Sequence, residues 1–141
     1  MVKRRRWKSK LQVRGVIMKK VVKFGGSSLA SAEQFKKVGD IIRADKSRRY
    51  VVPSAPGKRS SSDTKVTDML YSCYNLAIRE KKFTSLLDEI HARYNEIIDG
   101  LNLELSLDHE FDMIRENFGK KIGRDYAASR GEYLNGIIMA N

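Results

Sequence analysis

The run Lys20-Val21-Val22-Lys23-Phe24, which leads straight into Gly25-Gly26, constrains the fold more than any other stretch of this chain. A short β-branched segment ending in paired glycines reads as a buried strand. The turn after it is one in which glycine lets the backbone come close to a ligand. Ser31-Ala32-Glu33-Gln34 then matches a capping box, with Ser31 as N-cap and Gln34 at the third helical position. Phe35, Val38, Ile41 and Ile42 follow at helical spacing and predict one apolar face. That helix fades at Asp45-Lys46-Ser47. Tyr50-Val51-Val52 predicts a second strand, which Pro53 ends. Strand–helix–strand is the signature of a parallel crossover.

After a glycine-, serine- and proline-bearing loop from Ser54 to Asp63, expected to be mobile, the pattern becomes helical throughout. Thr64 to Lys82 predicts one helix, and Leu86, Leu87, Ile90, Tyr94, Ile97, Ile98 and Leu101 mark a second. Phe111, Ile114 and Phe118 mark a third, and Tyr126 to Met139 a fourth, with no internal repeat. The class is therefore α/β. A parallel sheet needs both faces buried, and two strands are too few to cover so many helices. The expectation is the first part of a larger α/β domain, of marginal stability because sheet edges and apolar helix faces lack partners.

Composition narrows the function classes. The chain has 141 residues, 41% of them apolar, enough for a packed core. Its net charge of +11 raises the possibility of a nucleic-acid module. However, seven of the 28 Lys and Arg residues fall within residues 1–17, where there is no acid, leaving only +4 for the rest. The excess is mostly a property of the tail, and removing the tail should abolish any phosphate-driven binding. Arg14-Gly15-Val16-Ile17-Met18 can be encoded as AGG-GGN-GUN-AUH-AUG, a purine-rich ribosome-binding run ahead of a start codon. The expectation is that residues 1–17 are translated leader or a disordered basic tail and that the domain occupies residues 18–141. N-terminal sequencing of the native protein tests this, and a start at Met1 would refute it. The lone cysteine, Cys73, suits a reducing cytoplasm and reads as a packing residue. His91 and His109 fall on different segments with no cysteine partner, so no metal site is expected.

Three stretches carry chemistry. In Lys23-Phe24-Gly25-Gly26-Ser27-Ser28, backbone N–H groups, a following helix N-terminus and the Lys23 charge together suit phosphate groups. An ordinary strand-to-helix turn is the competing reading. It is not a Walker A loop: Gly57-Lys58 is followed by Arg59, and position 52 is Val. In Val51-Val52-Pro53-Ser54-Ala55-Pro56-Gly57-Lys58, with Thr67-Asp68 beyond, Ser54 and a threonine can donate to a bound carboxylate. A solvent loop with a capping threonine is the alternative. In Ser129-Arg130-Gly131-Glu132-Tyr133-Leu134, Glu132 can meet a substrate ammonium or simply pair with Arg130.

Taken in order and spacing, these three stretches resemble the aspartokinases, members of the amino acid kinase family, over about Lys20 to Asn141. The resemblance implies an amino acid kinase-like three-layer sandwich, present as its N-terminal part. It implies transfer of the ATP γ-phosphoryl, with Mg²⁺, to the β-carboxylate of L-aspartate, giving 4-phospho-L-aspartate on the route to lysine, threonine and methionine. Lys23, Phe24, Gly25, Gly26 and Ser27 would hold ATP, with Lys23 stabilising the transition state. Ser54 and Thr67 would contact aspartate, and Glu132 its α-ammonium. The segment Arg59-Ser60-Ser61-Ser62-Asp63 lengthens the loop and leaves Thr64 as the rival to Thr67. Further kinase motifs expected downstream do not occur before Asn141, so the chain is expected to be inactive alone. The alternative reading is a fragment that binds an intact aspartokinase subunit or a second copy.

Overall fold

The computed structural model describes residues 18–141, and the basic arm of residues 1–17 lies outside them. Strand β1 (Lys20–Phe24) leads through a 3-10 turn (Gly26–Leu29) into helix α1 (Ala32–Arg43) and strand β2 (Arg48–Pro53). Four helices follow: α2 (Val66–Ile78), α3 (Thr84–Leu101), α4 (Asp108–Gly119) and α5 (Arg124–Ala140). The two strands pair in parallel, Val21 opposite Tyr50, Val22 opposite Val51, Lys23 opposite Val52 and Phe24 opposite Pro53. The capping box forms: the Gln34 amide donates to Ser31 Oγ at 3.4 Å.

The register divides the sheet into two unlike faces, since paired residues project to the same side. Val22, Val51, Phe24 and Pro53 are half-buried. Val21, Tyr50 and Val52 on the other face are exposed. Phe24 packs on the hydrophobic core. Ile41 fits the spacing of α1's apolar face but is exposed, whereas Phe35 and Val38 are buried in the core and Ile42 packs against it.

The helices do not wait for a sheet to cover them. α2 packs on α3, α4 and α5, and α1 packs on α3. Leu70, Cys73, Leu87, Ile90, Tyr94, Phe111, Ile114, Phe118 and Leu134 are almost wholly removed from water. The expectation of unpartnered helix faces is thus corrected: four successive amphipathic helices bury their stripes on one another, as ridge-into-groove packing allows. α5 also touches β2, which joins the bundle to the sheet.

Candidate active site

Lys23, at the end of β1, donates from Nζ to Ser54 Oγ at 3.3 Å, just past the end of β2. The ladder continues beyond the strands: Ser54 N–H donates to Phe24 O at 3.0 Å and Gly57 N–H to Gly26 O at 2.8 Å. Side chains would prevent this apposition. A Cβ on Gly26 would lie 2.9 Å from Ala55 O, and one on Gly57 would lie 2.5 Å from the Gly26 carbonyl carbon. Gly26 and Gly57 therefore let two loops meet, whereas Gly25 has nothing within 4 Å of its missing Cβ.

The two loops form one wall of an open cleft of about 540 Å³, lined by Gly26, Ser27, Ser54, Lys58, Thr67 and Glu132 among others. Residues from the β1 turn, the β2 loop, α2 and α5 thus converge on one space. Thr67 faces it, whereas Thr64 lines a separate hollow behind the loop and spends its carbonyl on Arg93. Glu132 is exposed and makes no ion pair among the described residues. Arg130, its expected rival partner, instead stacks over Tyr126 at 4.5 Å and Tyr133 at 4.6 Å. The Phe24 side chain packs on the core rather than lining the cleft, so only its backbone belongs to the turn.

One expectation is corrected in form. The helix start after Gly25 is a four-residue 3-10 turn, and the α1 N-terminus lies beyond it, capped by Ser31. A helix dipole at Gly26 is therefore slight. Positive charge comes from side chains instead: Lys58 and Lys65 line the cleft, and Lys23 reaches its Ser54.

The loop from Ser54 to Asp63 is pinned to α3, against the expectation of mobility. Buried Arg93 donates to Thr64 O at 2.6 Å and to Gly57 O, and its guanidinium lies 3.0 Å from Asp63 Oδ2. Arg59 closes the same carboxylate from its backbone at 2.9 Å and from Nε at 3.0 Å, and reaches Glu96 at 3.1 Å. The Arg59 hydrogen bonds, side-chain first, hold the Asp63 carboxyl well below the usual carboxylate range. Asn135, also buried, donates to Ser54 O at 2.6 Å.

Sequence reading missed Lys65, Arg93 and Asn135. A signal existed for two of them: Arg93 is three after Ile90 and four before Ile97, and Asn135 is four after Gly131, so helical spacing puts both on buried faces. Burial pushes the Cys73 thiol up to about 12, as suits a packing residue. His91 stacks on Phe111 with centroids 4.1 Å apart and lies 3.2 Å from Asp108.

The cleft is open, lies at the ends of parallel strands, and presents two lysines, a carboxylate and three hydroxyls, a mix of charge and hydrogen-bonding groups suited to a polar ligand. The chain belongs to the amino acid kinase family, whose model matches residues 18–141. It is 46% identical over 88 residues to Aspartokinase 3 of Bacillus subtilis, covering 62% of this chain and 19% of that one. It is 32% identical over 130 residues to the chloroplastic Aspartokinase 1 of Arabidopsis thaliana, covering 85% of this chain and 22% of that one. The aspartate kinase of Clostridium acetobutylicum, a solved structure described as an allosteric enzyme, superposes with a TM-score of 0.82 at 47% identity. That match covers 85% of this chain and 28% of the other. The chain thus spans about a fifth of the length of these curated relatives.

Proposed function

We propose that the cleft is the substrate-holding wall of an aspartate kinase, which transfers the ATP γ-phosphoryl to L-aspartate and yields ADP and 4-phospho-L-aspartate. The observation that carries this reading is the convergence of Ser54, Thr67 and Glu132, from three separate elements, on one cleft, with Lys23 hydrogen-bonded to its Ser54. Glu132 takes the α-ammonium as a charge-assisted pair, and the Ser54 and Thr67 hydroxyls donate to carboxylate oxygens. Lys23, beside Ser54, neutralises charge as the phosphoryl group passes to the acceptor, while the Gly25–Ser27 backbone holds the ATP phosphates. Mg²⁺ would accompany ATP and supply further charge neutralisation to the transferring phosphoryl group. Among the described residues no group of three or more His, Cys, Asp or Glu is placed to hold a metal ion.

Phosphoryl transfer depends on charge neutralised from several sides at once. The described residues supply the amino-acid side of that arrangement, so residues 18–141 taken alone are expected to bind substrate without turnover. Calorimetric titration with L-aspartate tests the reading. Measurable binding is expected, weakened about tenfold or more by Glu132→Gln or Thr67→Val, a loss typical of one charge-assisted hydrogen bond. No binding by the unaltered chain would refute it, and steady ATP- and aspartate-dependent ADP release would refute the lack of turnover.

A second reading is favoured by the exposed sheet face of Val21, Tyr50 and Val52: association with an intact aspartokinase subunit or with another copy of the chain. Co-purification with a full-length subunit tests it. No helix among the described residues is long and apolar enough to cross a membrane; a cytoplasmic location belongs to the proposal, since ATP and L-aspartate are both at hand there.

A further inference from the structure

Residues one turn beyond Glu132 tie its helix to the loop that carries Ser54. Asn135 is wholly buried, and its Nδ2 donates to Ser54 O at 2.6 Å. Gly131 presses on the same loop so closely that a Cβ there would meet Ala55 Cβ at 2.6 Å. From the other side Tyr94, also wholly buried, donates its hydroxyl to Gly131 O at 2.8 Å. The residues on either side of Glu132 in α5's buried stripe are therefore both fixed, one to the Ser54–Ala55 backbone and one to α3.

We infer that Asn135, backed by Tyr94 through Gly131, is a positioning residue that sets the distance between Glu132 and Ser54, and with it the length of amino acid the cleft accepts. The inference rests on the reading of the cleft given above. If Glu132 holds the ammonium and Ser54 the side-chain carboxylate, their separation is the ruler that distinguishes L-aspartate from L-glutamate, one methylene longer. A rigid ruler discriminates well, because a longer acid must distort either itself or the clamp. Asn135 touches neither ligand; its effect passes through the Ser54 carbonyl.

The test is the ratio of affinities for L-aspartate and L-glutamate, measured by calorimetric titration of the full chain well below its melting temperature. Asn135→Ala should lower the preference for L-aspartate about tenfold, the scale of one methylene in a fitted pocket. Tyr94→Phe keeps the ring and its packing while removing one hydrogen bond, so it should lower the preference in the same direction and by less. It carries the test if the alanine variant does not fold. A purely structural role would lower the melting temperature and leave the ratio unchanged. An unchanged ratio in folded variants of a chain that binds L-aspartate overturns the clamp alone. Failure of the unaltered chain to bind L-aspartate overturns the reading of the cleft and the clamp with it.

Discussion

The helical bundle and the strand pair are built from the same chain by opposite means. In the bundle the main apolar stripes pack on one another, although Ile78, Met113 and Tyr133 stay exposed: Phe118 is fully buried and meets Tyr74, Phe83 and Tyr126 edge-on, with centroids 5.9 to 6.2 Å apart. In the strand pair one face is packed and the other shows Val21, Tyr50 and Val52 to solvent. The cleft lies where the two regions meet, with lysines and hydroxyls from the strand loops and Glu132 from the bundle. Local closure thus needs no sheet when helices are amphipathic and sequential, whereas a parallel strand depends on neighbours supplied from far along a chain.

The comparison breaks most sharply with Phe118→Ala. Removing a fully buried ring should cost about 3–5 kcal/mol, whereas Val52→Thr on the open sheet face should stay within about 0.5 kcal/mol. Urea unfolding of the two variants checks both. Equal losses would mean that the sheet face is buried in solution and that the two regions are not unlike.

Arg93→Met probes the seam between them. It keeps much of the side-chain volume but removes the donors to Gly57 O and Thr64 O and the positive charge beside Asp63. Deleting one partner of a buried, hydrogen-bonded charge should cost about 2–4 kcal/mol. The amides of the Gly57–Thr64 loop should lose protection from hydrogen exchange before those of α3. Simultaneous loss in loop and helix would place Arg93 in the bundle rather than at the seam.

The bundle was the more legible region, because its code is local. Ser31 and Gln34 announce the start of α1, and Leu87, Ile90, Tyr94 and Ile97 lie in a helical stripe that is buried as spaced. Periodicity fails where it must name a partner. Ile41 has the right spacing yet its side chain is exposed, and Arg93 has a charged identity at a buried position of α3. The Gly57–Asp63 loop reads as mobile from its composition because the arginine that holds Gly57 is 36 residues away. Of the candidate site, Lys23, Ser54, Thr67 and Glu132 could be proposed from motif order, and the fold brings Ser54, Thr67 and Glu132 to one cleft with Lys23 on Ser54. Asn135 could not, since what matters there is a contact with a carbonyl 81 residues earlier.

The smallest effect expected is on the acid side of the pH profile, and it too separates the regions. Asp63 is held well below the ordinary carboxylate range by Arg59, through side chain and then backbone, with Arg93 adding to the effect. Asp45, at the turn into β2, is lowered in the same way by Lys20 and then Ser47. A carboxyl whose pKa is lower folded than unfolded contributes stability fully above the unfolded value, about 3.9. That contribution is lost as pH falls from there through the folded value. Both groups are in the loops around the strands, and neither belongs to the helical core. Below about pH 4 the strand loops should therefore loosen while bundle packing persists, with the melting temperature falling as acid is added. Asp63→Asn should lower stability at neutral pH and flatten that acid dependence, because its titration is then absent from both states. An acid limb still as steep as in the unaltered chain when Asp63→Asn is combined with Asp45→Asn would mean that the carboxylates sensing acid are in the bundle, and that the strand loops are no more acid-labile than the core they rest on.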